Sequence, residues 1–544
     1  MKRNYFLSFA FALLLNGTLA SADTKPYGNP SAPQGGTFNR NIVGEPTTLN
    51  PVTAHDAYGR YVLELVMDSL MVRNFETWEF MPGLAEKSEI SKDGKSYTFT
   101  LREGAKFHDG KAVTVDDVKF SFDAIFDPKF KAAHLQPYYA GIEKVEIVDT
   151  KTVRFTAKDK YFQNYDMVAE LVIVPKHVYG DPDAGFKKNK SPVGSGPYKL
   201  ERWDKGRNIQ LVRNKDWWGN SVEALKGIYN FEKVRMRFIK DEGLAIESLK
   251  KGDIDFQELS AENYEKTAVG PEWGSKVMKV KTENSEPKGY GYIGFNLRRD
   301  LFKERNVRLA LYHLFNREEL MQKYLYGMSI PATGPWYQQS EYADQSVKPI
   351  EFDPKKAADL FKKAGWIDAD KNGILEKEIA GKKVEFRFTL LYGTKEAEKY
   401  LTPYQSDLRK YGVDMKLQLL EWNALSKNLQ EGNYDTVALA WTGTVEIDPK
   451  QIWHSSSAVV GGSNYGGYSN PEVDKLIDEG RQEMDKKKRI AAFKKVYRLI
   501  AEDVPYIFWF NKKYVTYGYN PKMKMLSPTL RFRVGSNEVW WTQP

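Results

Sequence analysis

The residue types that could do chemistry are few, and their spacing argues against most of it. Six histidines (His55, His108, His134, His177, His313, His454) and no cysteine make up the soft-ligand inventory. No two histidines stand at the three-to-five-residue spacing that offers both rings of one helix face to zinc. No G-x-S-x-G elbow occurs. The nearest stretch, Gly461-Gly462-Ser463-Asn464-Tyr465-Gly466, has its later glycine on the wrong count. Gly289-Tyr290-Gly291-Tyr292-Ile293-Gly294 satisfies G-x-G-x-x-G by letter. That motif holds a pyrophosphate only where a strand hands over to a helix N-terminus. Here the glycines alternate with aromatics and run into Phe295-Asn296-Leu297, which reads as strand. Asp368-Ala369-Asp370-Lys371-Asn372-Gly373 is the first half of a calcium loop, but Ile379 stands where the bidentate glutamate belongs. It reads as a tight polar turn before a strand, with weak calcium binding helped by nearby Glu376 and Glu378 as the alternative. The Asp116-Asp117 pair is accounted for by the positive end of a helix dipole. No catalytic residue, no metal site and no cofactor is expected; the residues point to binding rather than turnover.

The elements that would have to position a binding site mix short strands and helices irregularly. Residues 97–101 read as a strand, and residues 107–111 as a turn with Asp109-Gly110 at its tip. A helix starts at residues 114–117 with Thr114 as cap. Residues 145–155 read as strand–turn–strand about Asp149-Thr150. The apolar spacing predicts one long amphipathic helix over residues 304–324 and another over 354–364. Strands are expected at 384–391 and 435–441. The class is α/β, with mixed sheets flanked by helices. Length suggests several domains, and with no low-complexity linker they must be packed together or interwoven.

The first residues carry a targeting pattern. Lys2 and Arg3 precede an apolar run over residues 6–15 broken only by Ser8, and Ala20-Ser21-Ala22 supplies a cleavage site. That run is roughly half the ~20 apolar residues a spanning helix needs. A signal peptide over residues 1–22 is expected, cleaved near Ala22. Without cysteine there is no lipid-anchor residue, so the mature chain is expected free in a periplasm rather than membrane-anchored. Cleavage lowers the formal charge from +9 to +7. Alternating lysines and acids such as residues 472–488 read as solvated helix faces. Nothing resembles a nucleic-acid stripe.

Beyond these readings, the chain shows a specific likeness. Thr98-Phe99-Thr100-Leu101-Arg102-Glu103-Gly104-Ala105-Lys106-Phe107-His108-Asp109-Gly110, followed by Asp116-Asp117-Val118-Lys119-Phe120-Ser121-Phe122, resembles the signature of the bacterial extracellular solute-binding proteins of family 5. These are the oligopeptide- and dipeptide-binding proteins of ABC importers. Thr48-Leu49-Asn50-Pro51, Gly194-Ser195-Gly196-Pro197-Tyr198, Trp217-Trp218, Ile293-Gly294-Phe295-Asn296, Arg308 and Asn316-Arg317 follow in the family's order. Residues 29–36 and 336–342 look most like the microcin-C-type receptors of that family. The resemblance implies a two-lobed, hinged periplasmic-binding-protein fold of type II. Lobe one would comprise residues 23–65, 190–286 and 505–544, with a small domain over 66–189 packed on it and lobe two over 287–504. It also implies a monomer that takes a peptide between its lobes and passes it to an inner-membrane permease.

By the same resemblance the ligand lies as an added strand, main chain to main chain. Peptide-binding relatives carry a cleft tryptophan and, three residues on, an aspartate that holds the ligand ammonium. Here those positions are Trp441 and Thr444, with Thr442 and Gly443 between them and Trp422 as a further cleft aromatic. A hydrogen bond to a charged group contributes about 1.5–3 kcal/mol, so lacking that aspartate costs roughly tenfold to a hundredfold for a free N-terminus. Glu446, Asp448 or Asp56 supplies the charge instead, or the loop is shifted by one or two residues, or the ligand lacks an ammonium. A blocked, cyclic or modified peptide, a saccharide, an opine or a siderophore-like compound would fit that last case. Leu429 and Ala438 stand where relatives carry arginines for ligand carboxylates. In lobe one, His55, Asp56 and Ala57 fall where relatives expose a cleft strand, Ala57 through its main chain. Residues 461–467 read either as a flexible lid or as an ordinary loop. A secreted hydrolase finds no nucleophile–base arrangement to support it.

Overall fold

The computed structural model describes residues 26–459 and 462–543. The expected leader over residues 1–22 and its cleavage site lie outside the described residues. No helix among the described residues is long and apolar enough to cross a membrane.

Two mixed sheets organise two lobes. The first has seven strands in the order Met278–Thr282, Val515–Tyr519, Phe256–Glu258, Thr37–Ile42, Lys233–Phe238, Asn208–Arg213, Tyr198–Asp204. Thr37–Ile42 runs parallel to both of its neighbours, and the remaining pairs are antiparallel. The second has six strands in the order Ser329–Pro331, Tyr506–Lys512, Tyr290–Phe295, Thr436–Trp441, Arg387–Tyr392, Asp414–Leu419. A third, four-stranded antiparallel sheet (Ala85–Ile90, Ser96–Leu101, Thr152–Ala157, Ile142–Ile147) with the helix Val115–Phe126 forms the small domain.

The chain passes between the two large sheets twice, at residues 283–289 and at residues 513–514. The second crossing corrects the boundary expected at 504/505. Tyr506–Lys512 is a nearly continuous apolar run, buried on both faces, and it pairs with Tyr290–Phe295 inside the six-stranded sheet. A strand buried on both sides belongs in a sheet interior, so lobe two keeps it. The small domain also takes residues assigned to lobe one by sequence. Trp217, Trp218, Val222 and Leu225 pack into its core, and the Trp218 indole N–H donates to the buried Asp68 carboxylate at 2.6 Å.

The helix expected over residues 304–324 is two helices, Arg305–His313 and Arg317–Leu325. Asn316 caps the second. The break lets buried Arg317 turn back and donate to the carbonyls of Ala332 (2.9 Å), Phe508 (2.9 Å) and Ile350 (3.1 Å). A guanidinium in a core has to find acceptors, and these carbonyls supply them. In the small domain Thr114 is the N-cap, as expected, and Asp117 completes a capping box: its carboxylate accepts from the Thr114 N–H at 2.9 Å and, from a neighbouring helix, from the Lys176 N–H at 2.8 Å.

The recognisable F-H-D-G block is scaffold. The His108 ring meets the Gly196 carbonyl at 3.0 Å and accepts from the Gly194 N–H at 3.3 Å, which fastens the small domain to lobe one. Burial pushes that imidazole down to about 4, so it stays neutral. The G-x-G-x-x-G stretch is the Tyr290–Phe295 strand, and its glycines make room for rings. A Cβ on Gly291 would stand 2.6 Å from the Trp509 ring. Residues 368–373 form the polar turn expected of them, with the Gly373 N–H donating to Asp368 at 3.0 Å. No group of three or more His, Asp or Glu among the described residues is placed to hold a metal ion.

Candidate ligand cleft

The Thr436–Trp441 strand runs along the centre of the lobe-two sheet and its chain leaves that sheet at Trp441. The Trp441 ring lies in a ladder of aromatics: it stacks on Tyr292 at 6.0 Å and on Tyr465 at 6.0 Å, and Tyr292 stacks on Tyr506 at 4.1 Å. Beyond it, Thr442, Gly443 and Thr444 form one wall of a small cavity of about 70 Å³, whose other walls include Lys288, Tyr290, Trp336, Tyr337 and Trp453. Cross-strand pairing sets the geometry, since Tyr290 lies opposite Trp441 in register. Gly443 is required by close approach: a Cβ there would sit 2.5 Å from the Lys288 carbonyl oxygen and 2.8 Å from its nitrogen. The first interlobe crossing is thus pressed flat against residues 441–443.

Thr444 is exposed, and its hydroxyl donates to the Glu446 carbonyl at 2.8 Å. The acids expected to stand in for the missing aspartate are all engaged elsewhere. Glu446 receives the Tyr342 hydroxyl and pairs with Lys486 at 3.2 Å and Arg489 at 3.4 Å. Burial would raise that carboxyl, but the Tyr342 hydroxyl and the two cations outweigh it and hold it below its ordinary value. Asp448 pairs with Arg481 at 3.0 Å and accepts from the Tyr161 hydroxyl at 2.8 Å. Asp56 caps a helix, accepting from the Gly59 N–H at 2.7 Å and the Thr47 hydroxyl at 2.7 Å.

That cap overturns the strand expected at His55–Ala57. Ala57 is the first residue of the helix Ala57–Val66, because Asp56 satisfies the helix's unpaired N–H groups. A helical main chain is not available for strand addition. His55 is exposed, its ring 5.9 Å from that of His134. Trp422 opens the helix Trp422–Glu431 with 58% of its surface exposed, and it does not line the Trp441 cavity. Leu429 and Ala438 are buried apolar residues. Of the stretch expected as a lid or a loop, the described residues 462–467 are pinned. Buried Asn464 donates to the carbonyls of His454 (3.1 Å) and Tyr468 (2.8 Å), and Arg298 holds the Tyr465 carbonyl at 2.8 Å. The segment is a fixed wall that carries the Tyr465 ring.

The structure adds Lys288, Trp336, Tyr337 and Trp453, which sequence reasoning did not place in the cleft. The available signal was Glu286-Pro287-Lys288, two opposite charges in a segment that has to cross between lobes. Their directions differ. Lys288 lines the lobe-two cavity, whereas Glu286 lines a cavity of about 100 Å³ in lobe one, together with Arg40, Tyr61, Arg533 and Asn537. Burial lowers the Arg40 guanidinium to about 10, and it stands 4.3 Å over the Tyr61 ring.

The small domain also touches lobe two directly. The Phe162 N–H donates to the Arg481 carbonyl at 3.0 Å, and its ring packs in the lobe-two core under the Arg489 guanidinium at 4.2 Å. Arg481 lies 4.4 Å over the Tyr161 ring. Asp448 therefore faces the Trp441 cavity and the small domain at once.

Comparison with known proteins places these features. The family model described as bacterial extracellular solute-binding proteins, family 5 Middle, matches residues 79–463. The chain is 31% identical over 539 residues to the oligopeptide-binding protein AppA of Bacillus subtilis (strain 168), covering 96% of this chain and 94% of that protein. The solved structure of Bacillus subtilis AppA in complex with a nonapeptide superposes with a TM-score of 0.71 at 28% identity, over 94% of this chain and 100% of that one. NikZ from Campylobacter jejuni in complex with Ni(L-His) superposes with a TM-score of 0.71 at 25% identity, over 92% of this chain and 96% of that one.

Proposed function

The chain belongs to the bacterial extracellular solute-binding proteins of family 5, and from that premise we propose that it captures oligopeptides between its lobes and delivers them to an inner-membrane ABC permease. It works as a free periplasmic monomer after removal of the leader. The observation that carries this reading is the aromatic-walled cavity at Trp441–Thr444, set where the first interlobe crossing meets the end of a central strand. As it stands that cavity admits little more than water, against the 300–1,000 Å³ of a ligand pocket. A peptide is therefore admitted by separation of the lobes about residues 283–289 and 513–514. Native mass spectrometry of protein purified from a periplasmic extract tests the ligand class. Small-peptide adducts support it; a bound oligosaccharide or metal complex overturns it. Trp441→Ala is expected to weaken binding of the recovered ligand at least tenfold by calorimetry, since the contact area of a partly buried indole on the cavity wall is lost. Unchanged affinity would put the cleft elsewhere.

A second reading keeps the receptor role and changes the cargo to a ligand without a free ammonium, such as a modified peptide, saccharide, opine or siderophore-like compound. Thr444 favours it, because Glu446, Asp448 and Asp56 are each committed to internal partners. A thermal-shift screen separates the two, as saturation at about 100 times Kd adds about 2.7 kcal/mol of stability.

A further inference from the structure

We propose that the Trp441 cavity is a carboxylate site, with Lys288 as its charged anchor and Tyr290 and Trp336 as supporting donors. The proposal rests on the reading that the chain binds peptides, and it specifies which end of one this cavity takes. The charged residues lining the cavity are Lys288 and Asp448. Asp448 is neutralised by Arg481 and the Tyr161 hydroxyl. Lys288 is buried and, among the described residues, has no carboxylate within ion-pair distance. Its ammonium donates to the Asn284 side-chain oxygen at 2.9 Å and to the Glu286 carbonyl at 2.8 Å, which leaves one of its three N–H groups. The other unsatisfied polar atoms of the lining point to the same chemistry. The Tyr290 hydroxyl and the Trp336 and Trp441 indole N–H groups are buried without a hydrogen-bond partner. Each can donate, and an indole N–H can do nothing else.

A buried cation beside unpaired donors is costly unless an acceptor completes it. Burial, opposed by Glu286 and aided by Lys512, pushes the Lys288 ammonium down to about 8; a bound carboxylate would reverse that. A ligand ammonium would instead meet like charge and donors facing donors. The neutral residue at 444 removes the counter-charge such a group would need. The cavity therefore discriminates against a free N-terminus and favours a terminal or side-chain carboxylate.

The test uses pools of tri- to pentapeptides in three forms: free acid, C-terminally amidated, and N-terminally acetylated free acid. Calorimetry on the full protein should give free-acid and acetylated pools binding alike, and the amidated pool about tenfold to a hundredfold weaker, the range expected for losing a charged hydrogen bond. Lys288→Met should abolish that preference and Lys288→Arg should retain it, with far-UV melting to confirm that both fold. Equal binding of amidated peptides, or failure of the acetylated pool, overturns the site. If no pool binds, the peptide reading fails and the site is still tested. The Lys288 side chain, assigned in ¹³C-lysine NMR from the spectrum of Lys288→Met, should then titrate at higher pH in sodium acetate than in sodium chloride at equal ionic strength. An unmoved titration overturns the proposal.

Discussion

Phe162→Ala separates closure of the lobes from stability of the fold. Phe162 belongs to the small domain by chain position, between the strand Thr152–Ala157 and the helix Asn164–Ala169. Its ring is nonetheless 93% buried in the lobe-two core, beneath Arg489 at 4.2 Å and 6.3 Å from Phe493. Truncating a buried phenylalanine costs about 3–5 kcal/mol when the hole cannot close, and the cation–π contact with Arg489 contributes about 0.5–2 kcal/mol of comparable losses. Where that loss appears depends on whether the surface is permanent. If the small domain rides with lobe one and parts from lobe two, the variant leaves each core intact and shifts the open–closed equilibrium by a factor of roughly 10² to 4 × 10³. Small-angle scattering of the ligand-free variant should show a larger radius of gyration than the parent. Its urea midpoint should move by less than about 1 kcal/mol equivalent, the size of an ordinary surface change. An unchanged radius together with loss of the full 3–5 kcal/mol would refute the reasoning, because Phe162 would then be part of one continuous core.

Two further outcomes follow from burial and close approach. Gly443→Ala places a methyl 2.5 Å from the Lys288 carbonyl oxygen. Backbone cannot swing aside as a side chain can, so about 1–3 kcal/mol of stability should be lost, measured by urea unfolding, together with ligand affinity. Asp68 carries a pH signature. Burial, partly offset by hydrogen bonds from Trp218, Ser195 and Trp217, raises its carboxyl to about 6 from 3.8. The folded state therefore holds a proton that the unfolded chain releases, and the stability this group confers is full below pH 3.8 and lost as pH rises through 6. Asp68→Asn should gain about 3 kcal/mol relative to the parent between pH 4 and pH 7; equal pH profiles for the two proteins would contradict a buried acid.

Much of this molecule was legible because local chemistry and global fold agree. The capped helix start at residues 114–117, the Asp109-Gly110 turn and the strand ending at Trp441 all sit where residue pattern puts them. The 304–324 helix misled because its apolar spacing runs straight through Asn316-Arg317, and only the buried carbonyls that Arg317 must reach reveal the break. Ala57 misled for a related reason. An aspartate before a small residue fits either a cleft strand or a helix cap, and the choice is made by Thr47, nine residues earlier. The cavity was half legible. Trp441 to Thr444 form one continuous run with Trp453 nine residues further on, whereas Lys288 and Trp336 reach the cavity from two distant segments. Whether a given acid is free or committed is likewise invisible until its partners are known, as Glu446 and Asp448 show.

The two crossings also govern how the molecule can be made. Between them, residues 290–512 supply all six strands of the lobe-two sheet, and a separate hairpin, from an uninterrupted stretch of chain, so lobe two can complete itself as soon as it is synthesised. Lobe one cannot. Its strand Val515–Tyr519 inserts between Met278–Thr282 and Phe256–Glu258, which are made more than two hundred residues earlier. Until that strand arrives, both carry unpaired edges open to any other extended chain. The C-terminal segment is thus a keystone, and a polypeptide cut short just before residue 515 would hold a finished lobe two beside a lobe one primed to aggregate.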